Sequence, residues 1–128
     1  IAGVNTTVKA VVDGDYYLIG NSSDNVLTAE STSTTLWGGG GNDTLIGGNG
    51  ADVFRFTASD GNVTISNGDS NDTVAIDFDF SDVSGYEFTD SGVVLSIGES
   101  SLNVVGSDLT TFNFADGVRT ADFSNQSF

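Results

Sequence analysis

The chain has 128 residues, a length that fits one domain, and it sets three basic residues (Lys9, Arg55, Arg119) against 18 acidic ones for a net charge of −15. That balance leaves no basic surface for phosphate, so nucleic acid is not an expected partner, and anionic membranes are disfavoured for the same reason; cations are the expected partners. The absence of Cys and His removes disulfides, thiolate metal sites, the usual zinc ligand and the usual general base.

Abundant Gly, Ser, Thr, Asn and Asp could signal disorder. Nine Phe, three Tyr and one Trp argue instead for a β-sheet core, and short apolar runs recur at even spacing. None of these runs approaches a membrane span, so no membrane insertion is expected. The chain begins at Ile1 with neither Met nor a signal-peptide pattern, as expected of a processed product, a fragment, or a protein exported with its N-terminus uncut.

No segment sustains a 3.6-residue period, so essentially no helix beyond a turn is expected. In chain order, Ala2, Val4, Thr6, Val8, Ala10 and Val12 alternate with mostly polar neighbours and predict one long half-buried strand without an obvious hairpin partner. Strands are then expected at Tyr16–Ile19, Asn25–Thr28, Thr34–Trp37, Thr44–Ile46, Val53–Phe56, Val63–Ile65 and Thr73–Phe78. After Gly85 they are expected at Tyr86–Thr89, Val93–Ile97, Leu102–Val105, Thr111–Phe114 and Val118–Phe123. Asp-Gly pairs at Asp13, Asp60 and Asp116 and Ser-Gly pairs at Ser84 and Ser91 mark turns. Without Pro, nothing bars these strands from central positions, and long edges stay open to pairing with another chain.

Two adjacent nonapeptides share one register: Gly38-Gly39-Gly40-Gly41-Asn42-Asp43-Thr44-Leu45-Ile46 and Gly47-Gly48-Asn49-Gly50-Ala51-Asp52-Val53-Phe54-Arg55. Both read G-G-x-G-x-D-x-U-x, with U a large apolar residue. The glycine half permits positive φ and close backbone approach, so carbonyl oxygens can converge. The Asp at position six adds a hard anionic ligand, and many oxygen ligands select Ca²⁺ over softer metals. The x-U-x half is a short strand with U pointing inward. One unit is then a turn plus a strand, and two units make a full coil, so turns on one edge recur about 18 residues apart.

Here the chain resembles the RTX (haemolysin-type calcium-binding) family. The resemblance implies an all-β, parallel β-roll in a type I-secreted, extracellular or cell-surface protein of bacterial type. The coil spacing predicts degenerate copies at Ile19–Leu27, with Asp24 at position six, and at Asn67–Ala75, with Asp72 there, about two residues late. Ala29–Trp37 keeps only Leu36 and reads as filler; Phe56–Thr64, with Asp60, is a weaker candidate. In the resembled family each ion sits between stacked turns. That implies at least two calcium ions, one between the Asp24 and Asp43 turns and one between the Asp52 and Asp72 turns. The carbonyls of Gly38, Gly40, Gly47 and Asn49 would complete the ligands. A third ion beside Asp60 or Asp69 is open.

Two carboxylates about 5 Å apart repel by roughly 3 kcal/mol at an effective dielectric of about 20, so each stacked pair opposes folding unless a cation bridges it. The inward residues Val26, Leu36, Leu45, Phe54 and Val74 contribute roughly 1.5–3 kcal/mol each, which is modest against the ordering of the backbone. The roll is therefore expected to be largely disordered without Ca²⁺.

The run from Asp77 to Asp82 begins like an EF-hand loop but lacks its Gly and Glu, and reads as a polar loop. The basic residues read as solvated surface charges, and with no cluster to complete a catalytic site the chain is expected not to be an enzyme. The expected organisation is a single domain: an N-terminal strand region at 1–18, the roll at 19–76, and an antiparallel β cap at 77–128. Two functions fit. One is a calcium-dependent structural module of a surface layer, matrix fibre or adhesin, polymerising with copies of itself by strand donation from the N-terminus. The other is a non-catalytic folding and secretion module of a larger secreted enzyme.

Overall fold

A computed structural model of the chain describes residues 8–12, 15–29 and 33–128; the expected strand's first part, before Val8, and the Asp13–Gly14 turn signal lie outside them. Alternating apolar and polar residues between glycine- and aspartate-rich turns form short strands throughout. They are β1 (Val8–Val12), β2 (Asp15–Ile19), β3 (Val26–Thr28), β4 (Thr34–Trp37), β5 (Asp43–Ile46), β6 (Val53–Phe56), β7 (Asn62–Ser66) and β8 (Thr73–Ile76). After a single 3-10 turn at Phe80–Asp82 come β9 (Gly85–Thr89), β10 (Gly92–Ile97), β11 (Ser100–Val105), β12 (Thr111–Phe114) and β13 (Gly117–Thr120).

From β2 to β8 the chain coils, placing successive strands alternately in two sheets. One sheet runs β1-β2-β4-β6-β8-β12-β13 and the other β3-β5-β7-β11-β10-β9. Pairing along the coil is parallel, as the all-β roll requires. Because side chains alternate across a strand, each coil sends the same positions inward. Leu18, Leu36, Phe54, Val74 and Phe112 therefore stack in one row, and Leu27, Leu45, Ile65 and Val104 in the other. All of them are buried and belong to one core.

The first inward residue differs from expectation. Val26 is exposed, while Leu27 is fully buried and lies opposite Leu45. The degenerate first unit therefore starts at Gly20, one residue later than its Asp suggests.

The expected N-terminal strand has a hairpin partner after all: β1 pairs antiparallel with β2, from Val8 opposite Ile19 to Val12 opposite Asp15. The antiparallel region after residue 77 is present as β9-β10-β11 and β12-β13. It shares the sheets of the coil instead of lying across its end, since β11 joins β7 and β12 joins β8 in parallel. Aromatic side chains fill this end. Phe128 lies 5.0 Å from Phe112, 5.1 Å from Tyr86 and 5.3 Å from Phe88 between ring centroids. The arginines, expected as solvated charges, are exposed but lie over rings: Arg55 is 4.6 Å from the Trp37 centroid and Arg119 is 4.0 Å from that of Phe80.

Candidate metal centre

The coil turns through two edges. The first edge stacks the turns 20–25, 38–43 and 57–62; the second stacks 47–52 on 67–72, with residue 33 and Thr34 of the preceding turn described. A hydrogen-bond ladder links position six of each turn to the same position one coil earlier. Asn25 N–H donates to Asp43 Oδ1 at 2.8 Å, 18 residues on. Thr34 N–H donates to Asp52 Oδ1 at 3.0 Å, again 18 residues on, and Asp52 N–H to Asp72 Oδ1 at 2.7 Å, 20 residues on. The two extra residues in that coil are the late register visible in the sequence.

On the first edge Asp43 is 2% exposed, and its second oxygen, Oδ2, is buried without a hydrogen-bond partner. Gly38 makes room for it: a Cβ at Gly38 would collide with the Asp43 carboxylate. A Cβ at Gly20 would likewise fill a space shared by the Gly38 carbonyl oxygen and Asn25 Oδ1. Gly39 and Gly41 hold φ of +80° and +90°, which lets the turn lie flat against the Asn21 and Ser23 carbonyls. Burial pushes the Asp43 carboxyl up to about 6; the Asn25 N–H opposes the shift, and the charges of Asp24 and Asp60 add to it.

Asp24 does not hold the position its sequence context implied. It is exposed and accepts the Asn42 N–H at 2.8 Å, tying the two turns together from outside. Asn25 occupies position six, is 1% exposed, and takes the Asn21 N–H on Oδ1 at 2.9 Å. The Asp24 and Asp43 turns are stacked as expected, but Asp43 faces a neutral amide across the stack.

On the second edge Asp52 and Asp72 are each 1% exposed. Asp52 Oδ2 accepts Gly48 N–H at 3.0 Å, and Asp72 Oδ2 accepts Asp69 N–H at 2.9 Å. Burial raises the Asp72 carboxyl, opposed by the N–H groups of Asp52 and Asp69 and reinforced by those residues' charges. The Gly47 carbonyl, an expected calcium ligand, accepts the Asn67 side-chain amide at 2.6 Å. Gly40 and Asn49 lie within their turns, with Gly40 stacked loosely over Ser22.

Asp60 is a further buried carboxylate, at 2% exposure. Thr57 gives it a backbone N–H at 2.8 Å and a hydroxyl at 2.6 Å, and the Trp37 indole N–H lies 3.1 Å from Oδ2. Among the described residues no three acidic side chains converge on one point. A cation held here would take one or two carboxylates, the Asn25 amide oxygen and backbone carbonyls. That is an all-oxygen donor set of the kind that suits Ca²⁺. The lone Asp43 Oδ2 and the Cβ-free space beside Gly38 fit such an ion; when bound, it would supply the positive charge that this oxygen lacks.

Comparison with family models matches residues 19–54 to the RTX calcium-binding nonapeptide repeat, in four copies. The match includes the filler unit before Trp37 and stops short of the Asn67 turn. No curated protein matches the chain. RTX repeats typify secreted bacterial proteins, and among the described residues no helix is long and apolar enough to cross a membrane.

Proposed function

We propose that this chain, whose residues 19–54 are RTX calcium-binding nonapeptide repeats, works outside the cell as a calcium-dependent structural module of a surface layer, matrix fibre or adhesin. The observation that carries the calcium reading is the buried Asp43 Oδ2 without a donor, in a stack of glycine turns lined by oxygen atoms. At least two ions are proposed, one for each edge. A non-catalytic role is supported by the use of the buried carboxylates, which accept backbone N–H groups of the stacked turns.

Self-association by strand addition fits the ends of the sheets. Among the described residues β1 ends its sheet and pairs only with β2, where a strand added from a neighbouring copy would extend the ladder. With a net charge of −15, copies approach one another more readily once calcium has neutralised part of the surface.

Calcium calorimetry combined with sizing in calcium and in chelator tests this reading. The expected result is saturable heat and a larger species in calcium, lost when the segment up to Val12 is deleted. Heat without a larger species would favour the folding and secretion module over the polymer. Absence of heat would remove the calcium reading altogether.

A further inference from the structure

The two edges carry the same motif but satisfy their buried oxygens differently. On the second edge protein donors are sufficient. Asp52 holds the N–H groups of Thr34 and Gly48, and Asp72 those of Asp52 and Asp69, so each carboxylate oxygen has a donor. Asn67 completes the edge. It stands one coil on from Gly47, holds a left-handed φ of 57°, and lays its amide across the gap between turns to the Gly47 carbonyl. A side chain there bridges two turns that the motif otherwise leaves to glycine.

The first edge leaves one carboxylate oxygen open among the described residues. Asp43 Oδ1 accepts the Asn25 N–H, but among the described residues nothing donates to Oδ2. Gly39 precedes Asp43 by four residues, as Gly48 precedes Asp52, yet its backbone turns through φ +80° and its N–H does not reach the carboxylate. The charges of Asp24 and Asp60 bear on the same carboxyl group. Asp60 has its own donors in Thr57 and Trp37, so those donors do not relieve Asp43. A buried anionic oxygen without a donor carries a large desolvation penalty, which a bound cation removes.

We infer that the edges divide the work: the second edge closes on protein donors alone, and the first edge, at Asp43 Oδ2, is the one whose folding waits for a divalent cation. This rests on the calcium reading of the turns. It assigns the ion dependence of folding to one edge and makes Asn67 the bridge that holds the other edge before an ion binds there.

Residue-resolved amide hydrogen exchange on the full chain, in chelator and in calcium chloride, tests the division. In chelator the amides of Gly48, Asp52 and Asp69 stay protected, while the Asn25 amide exchanges about tenfold or more faster than in calcium. Asp43→Asn removes the lone charge while keeping the shape. It therefore keeps its β signal in chelator, and emission from the sole tryptophan, Trp37, bonded to Asp60 beside this edge, no longer changes with calcium. Asn67→Gly keeps a residue suited to the left-handed φ but deletes the bridge; the Gly48 and Asp52 amides then lose protection in chelator and regain it in calcium.

Equal protection of both edges in chelator overturns the inference, as does a protected Asn25 with Gly48 and Asp52 open. The wild-type pattern decides even if a variant fails to fold. Calcium heat with the wrong exchange pattern removes only the edge assignment, whereas no heat removes the calcium reading beneath it.

Discussion

The coils from β2 to β8 and the region after Phe78 are built on the same two sheets but held by different forces. Each coil strand buries one or two side chains, and its turns are glycine, amide and carboxylate. Beyond the coil, rings pack edge to face, with Phe80 5.2 Å from Phe114 and Phe88 5.1 Å from Phe123. Apolar contact answers neither to ions nor to protons, whereas buried carboxylates answer to both. On the proposed reading, a coil whose first edge responds to ions is joined to an end held by apolar contact through the parallel pairs β7–β11 and β8–β12.

Truncations on either side of that junction give the largest expected effects. Phe112→Ala removes a fully buried ring in contact with Phe128 and should cost about 3–5 kcal/mol. Urea melts should show nearly the same loss in calcium and in chelator. Leu45→Ala empties a fully buried position between two turn edges and should cost about 2–5 kcal/mol. Its loss should appear as a higher calcium concentration at the folding midpoint, because Leu45 follows the Asp43 turn, whose closure is proposed to wait for the ion. If calcium rescued Phe112→Ala as well as it rescued Leu45→Ala, the two halves would not differ in the way described.

A smaller effect follows from pH. Asp43 titrates at about 6 in the folded chain against an ordinary 3.8, and Asp72 is shifted in the same direction, both chiefly by burial. The folded state then binds more protons than the unfolded chain between those values. Calcium-free stability should therefore rise as pH falls through about 6 toward 3.8, and fall as pH rises back through that window. Calcium uptake should weaken on acidification, since proton and ion compete for one oxygen. Urea melts in chelator across this range check the sign; stability that falls on acidification from the start would contradict it.

Much of this was legible in the sequence. The strands Thr34–Trp37, Val53–Phe56 and Thr111–Phe114 form over the residues expected, because strict alternation and flanking turn residues leave little choice. The coil spacing also anticipates the stacking of the Asp72 turn on the Asp52 turn. The first unit was harder to frame. Aligning on the acid selects Asp24, but aligning on the inward leucines, Leu27 to Leu45, selects Asn25, and packing follows the leucines. Asp60 was hard to place because its donors, Trp37 and Thr57, come together only once the coil has closed. The parallel joining of β11 to β7 spans an intervening hairpin, and no local pattern encodes such a pairing. The role of Asn67 depends on an amide reaching a carbonyl 20 residues away, which side-chain type alone does not announce.

The central claim is that calcium completes this roll. The most direct measurement is a calcium titration of the full chain from chelator, followed by far-ultraviolet circular dichroism. A saturable gain in β signal that chelator reverses is expected, above a residual signal from the aromatic end and the second edge. A full β signal in chelator, unchanged by calcium, would contradict it.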